Sequence, residues 1–272
     1  MAMGLRTMNG IRVRPRIAVA VVVGLTLGRA TAPTHAQQTC DAPGHMLIMG
    51  GTEDPARVPV EVRERAKGYG PAVEKLIASY GAAYIVRGRP VETVEGAWPP
   101  WQSVVMSEWP CRETGQTFWH SNAYQNDVKP LRKGASVYRV GMYGAPTRHP
   151  MQTGKWTAAG GPAASGVACA APVYFLVLSD VKDAAKLAAY RQRLSETAIQ
   201  YSYGAEDVLV GSPAEDLEGG WPQALNAKVT RWPCAAAFKA FYNSRQYQAE
   251  IKPMRDGAAN FTAVLIEPVA RP

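Results

Sequence analysis

The sequence predicts an α+β protein made of two copies of one βαββαβ module that pack their sheets face to face. Three observations carry this. A long internal repeat runs without gaps, the order of elements is legible in the second copy, and each module leaves one sheet face uncovered by its own helices. In the repeat, Tyr80-Gly81-Ala82 returns as Tyr203-Gly204-Ala205, and Glu95-Gly96-Ala97-Trp98-Pro99 as Glu218-Gly219-Gly220-Trp221-Pro222. Trp109-Pro110-Cys111 returns as Trp232-Pro233-Cys234, Ser121, Tyr124 and Gln125 as Ser244, Tyr247 and Gln248, and Lys129, Pro130, Arg132 and Gly134 as Lys252, Pro253, Arg255 and Gly257. Every pair is 123 residues apart, which marks a duplication.

The copies also begin alike, at Cys40-Asp41-Ala42-Pro43 and Cys169-Ala170-Ala171-Pro172, but 129 residues apart. The first copy therefore carries six extra residues before Tyr80, placed between Thr52 and Val58, where Pro55 and Pro59 bracket a loop. In the second copy, Val173 to Leu178 is an apolar, β-rich run and predicts a strand. Asp180 is the expected N-cap of a helix whose apolar positions Leu187, Tyr190, Leu194, Ala198 and Tyr201 recur at helical spacing. Gly204 supplies the left-handed stop. Val208-Leu209-Val210 predicts a second strand, a turn spans Gly211 to Trp221, and a third strand covers Lys228 to Trp232. A helix over Ala235 to Ala249 is broken by Ile251-Lys252-Pro253, and Phe261 to Ile266 predicts the last strand. The first copy shows the same order, with Gly68, Gly70 and Pro71 interrupting its first helix.

This order is the split βαβ, or ferredoxin-like, unit. Two such modules on one chain can cover each other's open sheets, which gives an intrachain pseudo-dimeric α/β barrel and an expected monomer. The predicted boundaries are a signal peptide at 1–36, a first module at 40–143, a Gly/Ala/Pro-rich linker at 144–168 and a second module at 169–272.

The signal reading rests on Arg6, Arg12, Arg14 and Arg16, the short apolar run from Ile17 to Gly28, and Thr34-His35-Ala36 before a cut ahead of Gln37. The run is too short for the ~20 residues of a bilayer-spanning helix. A periplasmic or secreted protein without a stable membrane span is the expectation. Residues 1–36 hold five arginines and no acid, so removing them from a formal charge of +8 leaves +3. The remaining charges are mixed along the chain, which excludes the clustered basic stripe of a nucleic-acid binder.

Four cysteines in an exported chain predict two disulfides. Each copy has one before its first strand (Cys40, Cys169) and one after its third (Cys111, Cys234). Pairing within copies keeps each module self-contained and is favoured. Its objection is that the first and third strands of such a sheet are expected to run parallel, which puts the two cysteines at opposite ends of the module. Pairing across copies, Cys40–Cys234 and Cys111–Cys169, avoids that difficulty.

The sequence of Tyr-Gly, a strand with Val86-Arg87-Gly88, Glu-Gly-x-Trp, aromatic-Pro, Phe-aromatic-x-Ser-x-x-Tyr-Gln and Pro-x-Arg resembles the domain of unknown function 1330 family in both copies. The resemblance implies a dimeric α/β barrel and no particular activity, because that fold carries oxygenases, isomerases and non-catalytic proteins alike. The copies depart from the pattern unequally. The second has Val210 where the first has Arg87, and the first has His120 where the second has Asn243.

On these residues the first copy is the expected site. Arg87, Glu95, Tyr124 and Arg132 are its candidate ligand-binding residues, suited to a small acidic or phenolic molecule through charge-assisted hydrogen bonds. In the plainer alternative Glu95 caps a hairpin, and Arg132 pairs with it or caps a helix end. His120 is a candidate general base, with a surface histidine as the alternative. His45, His120 and His149 lack metal-ligand spacing, so no metal and no cofactor are expected. Gly161 to Gly166 lacks the Lys-Ser/Thr of a phosphate loop, and no Gly-x-Ser-x-Gly elbow occurs. The expected roles are a small-molecule binder or cofactor-independent enzyme, or else a non-catalytic envelope protein with a structural or protein-binding role.

Overall fold

A computed structural model of the chain describes residues 40–147, 149–152 and 168–269. The expected signal peptide and most of the expected linker lie outside the described residues.

Module one contains strands β1 (Gly44–Gly51), β2 (Ala83–Gly88), β3 (Glu92–Glu95), β4 (Ser103–Trp109) and β5 (Val137–Tyr143). Its helices are α1 (Val60–Lys67), α2 (Tyr69–Ser79) and α3 (Arg112–His120). Module two repeats the plan with β6 (Val173–Val181), α4 (Ala184–Thr197), α5 (Ile199–Ser202), β7 (Glu206–Gly211), β8 (Glu215–Glu218), β9 (Leu225–Trp232), α6 (Ala235–Tyr242) and β10 (Ala259–Ile266). The two sheets are antiparallel, with strand orders β2-β4-β1-β5-β8 and β3-β10-β6-β9-β7.

Each sheet thus borrows its edge strand from the other module. β3 pairs with β10 (Thr93 beside Val264), and β8 pairs with β5 (Asp216 beside Gly141). The sequence reading took Gly211 to Trp221 as a turn and missed this exchange, because four polar-rich residues such as Glu215–Glu218 carry no strand periodicity of their own. The Glu-Gly-x-Trp motif explains itself here. Gly96 and Gly219 have φ of 70° and 85°, and a Cβ on them would lie 2.5 Å from the Phe261 carbonyl oxygen and 2.1 Å from that of Tyr138. Only glycine combines the left-handed turn with that approach to the other module's last strand. The indoles of Trp98 and Trp221 close the same loops by donating to the backbone oxygens of Gln102 and Leu225.

The open faces meet as expected. Leu47, Met49, Val86, Val104 and Met106 of one sheet pack on Leu176, Leu209, Val229, Val264 and Ile266 of the other in one buried cluster. Burial of each such side chain stabilises by about 1.5–3 kcal/mol. The opposite faces take the helices: Met46, Val73, Ile77, Phe118 and Tyr124 in module one, and Leu187, Leu194, Phe238, Phe241 and Tyr247 in module two.

Three local expectations are corrected. Asp180 lies within β6, and the cap of α4 is Asp183, whose carboxylate accepts from the Lys186 amide at 3.0 Å. The helix expected to run on to Tyr201 is broken at Ala198, which has φ of 49°. The long helix expected over Ala235–Ala249 ends at Tyr242 and restarts as a π-helical turn, Gln246–Ile251. Ser244 Oγ accepts from the Tyr247 amide at the restart, and Gln248 Nε2 donates to the Tyr242 carbonyl oxygen left open at the break. Ser121 and Gln125 do the same in module one. The Ser-x-x-Tyr-Gln motif is therefore a helix restart.

The disulfides are Cys40–Cys111 and Cys169–Cys234, each with Cα atoms 5.3 Å apart. The objection to pairing within copies falls, because β1 and β4 are adjacent and antiparallel. Gly44 at the start of one sits beside Trp109 at the end of the other, which brings Cys40 to Cys111 directly.

Candidate functional site

The strand exchange decides where the conserved-looking charges of the repeat go. Glu95 does not meet Arg132. β8 carries Glu218 to module one, where Arg132 donates to both its carboxylate oxygens at 2.8 Å and Lys129 approaches at 3.0 Å. Arg132 also donates to Tyr124 Oη at 3.3 Å and stacks over Tyr138. The mirror set lies in module two, where β3 delivers Glu95 to Arg255 and to the Tyr242 hydroxyl. Both arginines are nearly buried, at 7% and 5% exposure. Burial alone would raise the Glu218 carboxyl, but hydrogen bonds from Arg132 and Lys129 outweigh it and hold the group below its ordinary value. These two symmetric clusters fasten the modules to each other.

The other two residues named from the sequence stand apart. Arg87 pairs with Glu74 and lies over the Tyr84 ring, beside a cavity of about 400 Å³ also lined by Thr52, Trp101 and Tyr138. His120 ends α3 at the surface, with Nε2 2.8 Å from Glu215 of module two.

A larger cavity lies in module two, between α4 and the helix-facing side of its sheet. It measures about 700 Å³, and its walls include Phe175, Tyr190, Leu194, Trp232, Phe241 and Phe261. A polar group closes one side. Lys228 Nζ lies 2.9 Å from Asp207 Oδ1 and donates to Gln200 Oε1 at 3.3 Å, while Tyr201 Oη donates to Asp207 Oδ2 at 2.6 Å. His149 stacks on the Tyr201 ring with centroids 4.5 Å apart. Burial, and then the Asp207 charge, push the Tyr201 phenol up, so it stays a neutral donor.

At the corresponding place module one has the smaller cavity of about 400 Å³ beside Arg87, which Val105 also lines. At the 123-residue spacing, Gln200, Asp207 and Lys228 correspond to Ile77, Tyr84 and Val105. The backbone confirms the alignment, since the Ala82 amide bonds to the Ile77 oxygen as the Ala205 amide bonds to that of Gln200. Upstream of Ala198 the spacing is 121: Tyr69 meets Tyr124 as Tyr190 meets Tyr247. Two residues are therefore inserted in module two at the left-handed break. The sequence reading missed this site because it weighed Arg87 against Val210. The available signal was Asp207 and Lys228, charges at strand positions where module one has Tyr84 and Val105.

Among the described residues, no group of three side chains is arranged to hold a metal ion, and no helix is long and apolar enough to cross a membrane.

Two exchanged βαββαβ modules facing each other through their sheets define a protein of the dimeric α/β barrel class, here closed within one chain. The chain belongs to the family described as domain of unknown function (DUF1330), whose model matches residues 56–142 and 172–269. Solved structures with a similar fold include a "putative monooxygenase" from Fusobacterium nucleatum (8% identity, 84% of this chain and 93% of that one, TM-score 0.52). Others are a protein of the same description from Lactobacillus acidophilus (13%, 85% and 100%, TM-score 0.46) and a chlorite dismutase variant from Candidatus Nitrospira defluvii (10%, 86% and 93%, TM-score 0.47). No curated protein matches the chain.

Proposed function

We propose that this protein binds a small, ring-sized molecule in the cavity under α4 of module two. One observation carries the reading: the cavity holds about 700 Å³ of aromatic-walled space, against about 400 Å³ at the matching place beside Arg87 in the duplicate module. That volume suits a small-molecule site, which is typically about 300–1,000 Å³ with few polar groups. The site expected in module one, around Arg87, has the smaller volume and an arginine already paired with Glu74. The test is thermal unfolding with a panel of aromatic ligands. A binder at 100 times its Kd stabilises by about 2.7 kcal/mol. Val177→Trp, which fills the cavity, is expected to abolish the shift, while Ile48→Trp at the matching position of module one leaves it. A panel without any shift, or shifts indifferent to Val177→Trp, would overturn the reading.

We also infer that the chain is exported. The support is its two disulfides, which suit folding in an oxidising compartment. N-terminal sequencing of the mature protein is expected to begin at Gln37; a start at Met1 would count against export by this signal.

A further inference from the structure

Of the charged groups around the cavity of module two, one lacks an opposite. Lys228 meets Asp207, and Arg255 meets Glu95. Arg191 lies on the inward side of α4, in sequence with the buried Tyr190 and Leu194, is half-buried, and lines the cavity. No carboxylate is paired with it among the described residues. The remaining residues cannot supply a side-chain partner, because all of them lie in 1–39, 148, 153–167 and 270–272, where no Asp or Glu occurs.

The comparison with module one sharpens this. At the 121-residue spacing Arg191 corresponds to Gly70, and a Cβ on Gly70 would sit 3.4 Å from the Arg87 guanidinium. Module one therefore brings a guanidinium to this place from strand β2, and module two brings one from helix α4. The acid differs. Glu74, which pairs with Arg87, corresponds to Ser195, another residue of the cavity wall. Module two has the positive charge without that counter-charge, beside the larger of the two cavities.

On the reading that the cavity binds a ligand, we propose that the ligand is an aromatic carboxylate, with its anionic group on Arg191 and its ring among Phe175, Trp232, Phe241 and Phe261. A guanidinium presents two parallel donors that match a carboxylate, and such charge-assisted pairs are about twice as strong as neutral ones. Burial pulls the Arg191 guanidinium below its ordinary value, in the direction expected for a cation held without a counter-ion. The stacked aromatic wall prefers a flat, apolar body.

The experiment compares 2-naphthoate with 2-naphthamide, rings of one shape that differ in charge, by isothermal titration against the full chain. Naphthoate is expected to bind at least about tenfold more tightly, the scale of one charge-assisted hydrogen bond. In Arg191→Met the ratio falls to about one while the amide keeps its affinity. Arg193→Met, an exposed arginine on the same helix, preserves the ratio; unfolding temperatures of both variants report that the fold survives. Equal binding of acid and amide to the unaltered chain, or a ratio unchanged in Arg191→Met, would overturn the carboxylate assignment and leave the cavity reading standing. If neither probe binds, the cavity reading falls and the assignment with it.

Discussion

Module one has Ile77, Tyr84 and Val105 against its first helix, and module two has Gln200, Asp207 and Lys228 in the same positions. In the first set Ile77 and Tyr84 join the helix-side core and Val105 borders the smaller cavity of about 400 Å³. The second holds an ion pair and an amide at the edge of an open cavity, although desolvating charges generally costs more than packing hydrophobic groups of similar size. Elsewhere the modules agree closely: the disulfides span 71 and 65 residues, the tyrosine pairs Tyr69–Tyr124 and Tyr190–Tyr247 match, and each buried arginine receives a glutamate from the other module. The two modules thus share one framework, and the helix–sheet layer of module two encloses the larger cavity.

The largest effect expected concerns the shared framework. Glu218→Ala leaves Arg132 buried without its carboxylate and is expected to cost about 3–5 kcal/mol. Glu95→Ala leaves Arg255 in the same position, but it removes contacts to one arginine and one tyrosine, whereas Glu218 holds Arg132 through two parallel bonds and also Lys129. Urea unfolding should therefore rank Glu218→Ala as the more destabilising; the reverse order would break the equivalence drawn between the clusters. The pH dependence has a definite sign. Because the Glu218 carboxyl is held below its ordinary value in the folded protein, its stabilisation is complete above the unfolded pKa of about 4.3 and is lost as pH falls through the lower folded value.

The next effect exchanges the modules' solutions. Gln200→Ile with Asp207→Tyr and Lys228→Val gives module two the residues of module one. Replacing a buried ion pair by packed apolar groups is commonly neutral or stabilising by about 1–4 kcal/mol, and the same triple variant should lose ligand binding. Lys228→Val alone is expected to destabilise, since it leaves Asp207 inside without its cation. A triple variant that unfolds more easily and still binds would show that these three residues do not separate the modules.

The framework was legible in the sequence because it repeats. Strands β1, β4, β6 and β9 carry apolar residues on both faces, and the Tyr-Gly-Ala, Glu-Gly-x-Trp and Trp-Pro-Cys motifs recur at one spacing. What escaped was whatever depends on two segments distant in sequence. β3 and β8 are too short and polar to announce themselves, so nothing in the sequence brings Glu95 to Arg255 or Glu218 to Arg132. The break at Ala198 carries no glycine, and an alanine in a left-handed conformation has no sequence signal. Arg191 was passed over because a helical arginine reads as a solvated charge until its neighbours are known. Its missing acid is visible only when Glu74 and Ser195 are aligned through the two-residue insertion.

The smallest effect is expected at the rim, where the modules again solve one problem in two ways. Glu215, on β8, accepts from Gln116 Nε2 at 2.6 Å and meets His120 Nε2 at 2.8 Å. Its counterpart Glu92 meets Lys239 Nζ at 2.8 Å, and Lys239 stands at the position of Gln116. Where module two has Lys239 and Asn243, module one has Gln116 and His120. Both contacts are exposed, so each is worth only about 0.2–1 kcal/mol and is screened by salt. Burial slightly opposes ionisation of Glu215, but its bonds to His120 and Gln116 prevail and lower its pKa, so this small contribution too is present above the ordinary carboxylate pKa and lost as pH falls below it. His120→Ala and Lys239→Ala should each lower the unfolding temperature slightly at low salt, and the differences should vanish in 1 M salt. A His120→Ala loss well above 1 kcal/mol, or one that survives high salt, would mean that the histidine does more than hold the borrowed strand at its rim, and would return it to consideration as a general base.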